Sequence, residues 1–239
     1  MTAPISTHAI QRLLAGSNAQ AVAGDLQQML DRGFSLEQMA TVLELLSDDR
    51  AQRRRTDELF EVVTTGPEAS CVTNRDTSVV VRELFAHAQT SVLVAGYAVY
   101  QGQRVFRALA DRMSEVPELS VRLFLDIQRG PGDTSAPREI VRRFAHRFRT
   151  TQWPTDRPMP RVFFDPRSLE LKPEKKACLH AKCIVVDTRS VFVSSANFTE
   201  AAQERNIEVG LLAKDNSLAE RIVRHFDSLV EAGLLAGVM

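Results

Sequence analysis

The sequence is short of lysine, cysteine and long apolar runs. Only five of its 30 basic residues are Lys, so the place of each Lys is informative, because Arg otherwise serves the charged surface. One of the five is Lys182. Three cysteines, Cys71, Cys178 and Cys183, are an odd number with no C-x-x-C spacing, which argues against a disulfide framework and against a zinc cluster. They read as small apolar side chains. The longest apolar stretches, Ser91–Val99 and Val191–Ala196, fall far short of the roughly 20 residues that cross a bilayer, so no membrane association is expected. Met1–Ile10 has no basic segment followed by an apolar core, does not read as a secretion signal, and leaves the cytoplasm as the expected compartment. Net charge is zero, with 30 acidic residues against 30 basic. Attraction to a polyanion must therefore come from local clustering.

What is present is the composition of a folded chain. Apolar residues make up 44% and charged residues 25% of 239, enough to bury a core and to carry an accessory segment. Over residues 1–64 the pattern is helical, with Leu26, Met29 and Leu30, then Met39, Val42, Leu43 and Leu46, at helical spacing. Gly33 reads as a stop, and Ser35 with Gln38 reads as a capping box. A small helical bundle is expected there, followed by a linker at Thr64–Asn74, which contains Gly66 and Pro67. From residue 76 to 239 helical and strand-like segments alternate, the sign of an α/β layer structure. The spacing predicts helices at Val79–Ala88, Val105–Met113, Arg138–Arg149 and Asp215–Leu229. It predicts strands at Ser91–Gly96, Val121–Ile127, Arg161–Phe164, Lys182–Val186, Val191–Ser194 and Ile207–Leu212.

His180 and Lys182 are two apart at a strand entry, so their side chains share one side of the sheet. Ser194, Ser195 and Asn197 end the next strand, and Asn206 and Glu208 open the one after. His180-Ala-Lys182, four residues, Asp187, six residues, Ser194-Ser195-Ala196-Asn197, and then Glu208 together resemble the signature of the phospholipase D superfamily. Ser194 departs from it, standing where the superfamily carries the glycine of a Gly-Ser pair. The run Leu179–Gly210 more narrowly resembles the phospholipase D-like component of DISARM anti-phage defence systems.

The resemblance spans about residues 76–235 and implies an α/β fold, a phospholipase D-like mixed sheet flanked by helices. The small N-terminal helical region lies outside it. It also implies a metal-independent, nuclease-like phosphodiesterase with no cofactor. A phosphodiester anion resists attack, so such a site must supply positive charge and a nucleophile that also leaves well. By the resemblance His180 attacks phosphorus, Lys182 and Asn197 hold the non-bridging oxygens, Glu208 accepts from the other nitrogen of His180, Ser195 adds a hydrogen bond and Asp187 organises its loop. The superfamily draws its general acid from a second motif. His8, His87, His146 and His225 are each followed two residues later by something other than Lys. A homodimer that brings two copies of His180 together is therefore expected.

Arg138, Arg142, Arg143, Arg147 and Arg149, with His146, form a basic cluster on a helix whose Ile140, Val141, Phe144 and Phe148 can face the core. The cluster reads either as a nucleic-acid contact or as a solvated face. Arg53–Arg55 reads as solvated, and Trp153 either stacks on a base or packs. Nucleic acid, a second copy and other defence-system proteins are the expected partners. The alternatives to a nuclease are a phospholipase and a non-catalytic nucleic-acid-binding or scaffold subunit of a defence complex.

Overall fold

The computed structural model describes residues 8, 10, 18–52, 59–67 and 75–238. Arg53–Arg55, Cys71 and most of the expected linker lie outside them. The chain divides into two compact units, residues 1–55 and 56–239.

In the first unit, α1 (Ala19–Asp31) and α2 (Leu36–Gln52) are joined by a short turn. Gly33 takes a left-handed conformation there, with φ 93°, which carries no penalty without a Cβ. The capping box forms as expected: Gln38 N donates to Ser35 Oγ at 3.1 Å and Ser35 N donates to Gln38 Oε1 at 2.9 Å. Each bond satisfies an N–H that the helix start would leave open. Met39 is buried, whereas Leu43 and Leu46, read at the same helical spacing, are exposed.

The second unit is built on one nine-stranded mixed sheet. Its first part runs β1 (Phe60–Thr65), β2 (Arg75–Asp76), α3 (Thr77–Ala86), β3 (Ser91–Gly96), β4 (Val99–Tyr100), α4 (Gly102–Val105), α5 (Arg107–Glu115) and β5 (Ser120–Leu125). The middle holds α6 (Pro137–Arg147) and β6 (Arg161–Phe164). The last part runs β7 (Cys183–Val186), β8 (Ser190–Ser194), β9 (Phe198–Thr199), α7 (Glu200–Glu204), β10 (Glu208–Lys214), α8 (Asn216–Glu231) and β11 (Ala236–Gly237). Across the sheet the order is β11, β6, β5, β3, β7, β8, β10, β1, β2. Strands β3, β5 and β6 are parallel, whereas β3, β7, β8, β10 and β1 pair antiparallel in succession.

Helices cover both faces. Val80, Val81 and Phe85 of α3 and Leu109 of α5 pack with Val94, Leu123 and Ile184 on one face. Ala219 and Phe226 of α8 pack with Leu93, Phe124 and Val185 on the other. This double cover explains why Val92–Ala95 are buried without alternation. Three expectations are corrected. Residues 60–65 are a strand, not the end of a helical region or the start of a linker; Val62, Val63, Thr64 and Thr65 are β-branched, and the segment pairs with β10 from Phe60↔Ala213 to Thr65↔Glu208. The Val105–Met113 helix is broken at the fully buried Phe106. The strand carrying Asp126 ends one residue before it, at Leu125.

The β7–β8 turn is tied across the sheet. Asp187 and Thr188 both have φ 52°, and Asp187 Oδ1 accepts from Thr90 N at 2.7 Å, Ser91 N at 3.0 Å and Thr90 Oγ1 at 3.0 Å. Gln89 N donates to Oδ2 at 3.0 Å. Burial pushes this carboxyl upward, but the N–H groups of Thr90, Ser91 and Gln89 with the Thr90 hydroxyl outweigh it and hold it below the usual carboxylate range. Asp187→Asn is expected to cost about 1–3 kcal/mol at neutral pH. A depressed carboxyl stabilises the fold above its unfolded value of about 3.9 and loses that contribution as pH falls through its folded value. Urea titrations of both proteins should therefore converge in acid; a gap independent of pH would refute this role.

Candidate active site

The topology collects one edge of the sheet into a site. Parallel β3 and β5 end at the same edge. Strand β7, antiparallel to β3 in the register Ala95↔Cys183, begins there. Strand β8 ends there and β10 begins there, with Ser194↔Gly210 in register. The residues just beyond these strand ends converge: Tyr97 after β3, Asp126 after β5, His180 and Lys182 before β7, Ser195 and Asn197 after β8, and Glu208 at the start of β10. Open α/β sheets place ligands at such strand ends. Gly96 makes the approach possible, because a Cβ there would lie 2.6 Å from the Phe198 ring, next to Asn197.

Lys182 Nζ lies 3.3 Å from each ring nitrogen of His180 and donates to the His180 backbone oxygen at 3.0 Å. Tyr97 backs both, its ring centroid 4.7 Å from that of His180 and 5.5 Å from Lys182 Nζ. Glu208 is engaged differently from expectation. Ser195 Oγ donates to one of its oxygens and Asn206 Nδ2 to the other at 3.2 Å, and among the described residues no hydrogen bond joins it to His180. Each carboxylate oxygen thus has one donor, one from the adjacent strand end and one from its own strand entry. Val209 N in turn donates to Ser195 Oγ at 3.2 Å. The Ser194 departure is absorbed locally, since its hydroxyl accepts from Ala196 N at 3.0 Å. Asn197 has a buried side-chain oxygen without a partner, a group that calls for an explanation. Asp187 is not part of this cluster; it sits at the opposite end of β7, as its loop-organising role requires. Among the described residues no three His, Cys, Asp or Glu side chains gather in a way that could hold a metal ion.

Residues 81–230 match the family described as "Cardiolipin synthase, PLD-like domain". The chain belongs to the PLD-like family. It is 30% identical over 190 residues to the DISARM protein DrmC of Bacillus paralicheniformis, covering 79% of this chain and 68% of DrmC. Similar solved structures include Nuc and NucT. Nuc of Salmonella typhimurium, a phospholipase D family member, is 21% identical with a TM-score of 0.46 over 74% of this chain and 96% of its own. NucT from Helicobacter pylori is 16% identical with a TM-score of 0.49 over 74% and 99%.

The basic helix of this PLD-like domain turns Ile140 and Phe148 fully inward and Val141 and Phe144 partly so, as the spacing predicts. Its arginines differ in their surroundings. Arg142 pairs with Glu139 at 2.8 Å and Arg143 with Asp133, Arg138 and Arg149 are exposed, and Arg147 lies 5.9 Å from the Phe144 ring centroid. Trp153 is core: it is fully buried and its Nε1 donates to Pro158 O at 3.0 Å.

Two residues of the PLD-like site escaped the sequence reading. Tyr97 gave no signal beyond following an apolar strand. Asp126 gave a faint one, as an acid ending an otherwise apolar strand. It accepts at Oδ1 from Leu179 N at 2.9 Å and thereby holds the segment entering His180. Burial pushes its carboxyl above the ordinary value, against the opposing pull of Leu179 N–H and the nearby Gln128 amide. The amide donates to Tyr97 Oη at 2.6 Å, and Asp126 Oδ2 has no partner within hydrogen-bonding geometry. A raised carboxyl makes ionisation unfavourable to the native state, a penalty absent in acid and complete once pH exceeds the folded value. Asp126→Asn keeps the acceptor for Leu179 and removes the charge. Its stability relative to wild type should improve as pH rises from about 3 to 7, the opposite trend to Asp187→Asn; thermal melts across that range decide it.

Proposed function

We propose that this chain is a nucleic-acid phosphodiesterase that works without a metal ion, through a phosphohistidine on His180. The observation that carries the reading is the placing of Lys182 Nζ 3.3 Å from both His180 ring nitrogens, a cation beside a nucleophile at a shared strand edge. An imidazole lone pair attacks phosphorus; the P–N bond forms and the P–O bond to the leaving group breaks. Lys182 and Asn197 take the non-bridging oxygens, whose charge grows in the transition state. Ser195 and Asn206 are positioned by Glu208. The leaving oxygen takes a proton from the His180 of a second copy. Water then attacks phosphorus and gives a proton back to that second histidine as the P–N bond breaks. Similarity to the DISARM protein DrmC supports a phage-defence setting with further protein partners.

The test is cleavage of labelled single-stranded and duplex DNA and RNA in excess EDTA by wild type and His180→Ala. Wild type is expected to cleave and the variant to lose activity by at least about a thousandfold, the scale of removing a nucleophile. Activity lost in EDTA, kept in the variant, or absent on all four polymers would count against the proposal.

An exposed apolar strip supports the second copy. Val62, Leu211 and Val193 lie in register across β1, β10 and β8, with Val209 on the same face; they are 50%, 42%, 47% and 60% exposed. Exposed apolar patches of this kind mark interaction surfaces, and this one adjoins the site through Val209, which bonds Ser195. Leu211→Asp is expected to shift the protein to a monomer in sedimentation and to abolish cleavage. A wild type that is monomeric and active removes the two-histidine mechanism.

A further inference from the structure

A pocket of about 390 Å³ shares Tyr97 with the His180 site, and none of the chemistry above uses it. Its size lies within the roughly 300–1,000 Å³ of small-molecule sites. Tyr97 belongs to both places, since its ring lies against His180 and Lys182 and also lines the pocket. The chain has two tyrosines, and both Tyr97 and Tyr100 line this pocket, Tyr100 with 65% of its surface exposed. Phe144 adds a third aromatic wall and Arg147 a guanidinium. Strand β4, which ends in Tyr100, pairs with β9 directly after Asn197, so this wall is anchored to the catalytic strand end. Asp126 also lines the pocket; the residue is 8% exposed and its Oδ2 is unpartnered, the kind of orphan acceptor that a ligand donor or water satisfies.

We propose that the pocket holds one unstacked nucleobase of a single-stranded substrate while the adjoining phosphate sits at His180 and Lys182. The inference rests on the nuclease reading above and names its substrate class. Aromatic walls accept any base through its π-face, giving affinity without sequence preference. A base in a duplex must first be unpaired and unstacked to enter, which favours single strands. Arg147, unlike the carboxylate-paired Arg142 and Arg143, is placed at the pocket to meet a neighbouring phosphate.

The experiment uses a short single-stranded oligonucleotide and a series in which each nucleotide in turn is abasic. Cleavage is measured with wild type, affinity with His180→Ala, and the base-free diester bis(p-nitrophenyl) phosphate reports chemistry alone. One abasic position next to the scissile phosphate is expected to lower both affinity and kcat/KM at least about fivefold. Tyr100→Ala is expected to bind the intact strand and that abasic strand alike. If the base-free diester is hydrolysed with dependence on His180 while every abasic strand matches the intact one, the subsite is overturned and the nuclease reading stands. If neither the diester nor any strand is cleaved, the nuclease reading fails; equal affinity of intact and abasic strands then overturns the subsite separately.

Discussion

The antiparallel seam between β3 and β7 is the contact on which the rest depends. It joins the parallel half of the sheet, β3, β5 and β6, to the antiparallel half, β7, β8, β10 and β1. Because β7 runs against β3, the start of one strand meets the end of the other, and Tyr97 comes to lie on His180 at 4.7 Å. A parallel pairing would carry the residues before β7 to the far edge. The seam is buried on both faces, by α3 and α5 on one side and α8 on the other, so its register is held by packing as well as by hydrogen bonds.

Two carboxylates mark the two ends of this seam and have opposite energetics. Asp187 is surrounded by donors, four of them from residues 89–91, and secures the turn where β7 passes into β8. Asp126 has one backbone donor and an orphan oxygen beneath the segment that delivers His180. A buried charge without full pairing destabilises a fold, and such groups concentrate at functional sites. Stability is held at one end of the strand pair and spent at the other.

Under the proposed mechanism the site of one copy is half complete. His180, Lys182 and Asn197 stand at one edge, and in the proposed mechanism the proton for the leaving group comes from the His180 of a second copy. The apolar strip along β1, β10 and β8 is left exposed by a single copy.

The gathering of His180, Lys182, Ser195, Asn197 and Glu208 at one edge was legible because each sits at a strand terminus and their spacing is local in sequence. The strands and α8 were legible for a similar reason, since period-2 and helical patterns are local. The capping box of Ser35 and Gln38 depends on three residues of spacing, and it formed as read. Strand β1 was missed because its partner β10 lies about 150 residues away and six residues beside a helical tract carry little periodic signal of their own. The Glu208 partner was misread because spacing brings strand ends together without saying which donor reaches a carboxylate first. The sequence by itself determined the residue types, their order and the faces they occupy, since those follow from backbone periodicity. Only the tertiary structure decided that Tyr97 and Asp126 join the site, that Arg143 pairs with Asp133 while Arg147 meets a pocket, and that Trp153 is core, because each depends on contacts between segments that chain spacing does not constrain.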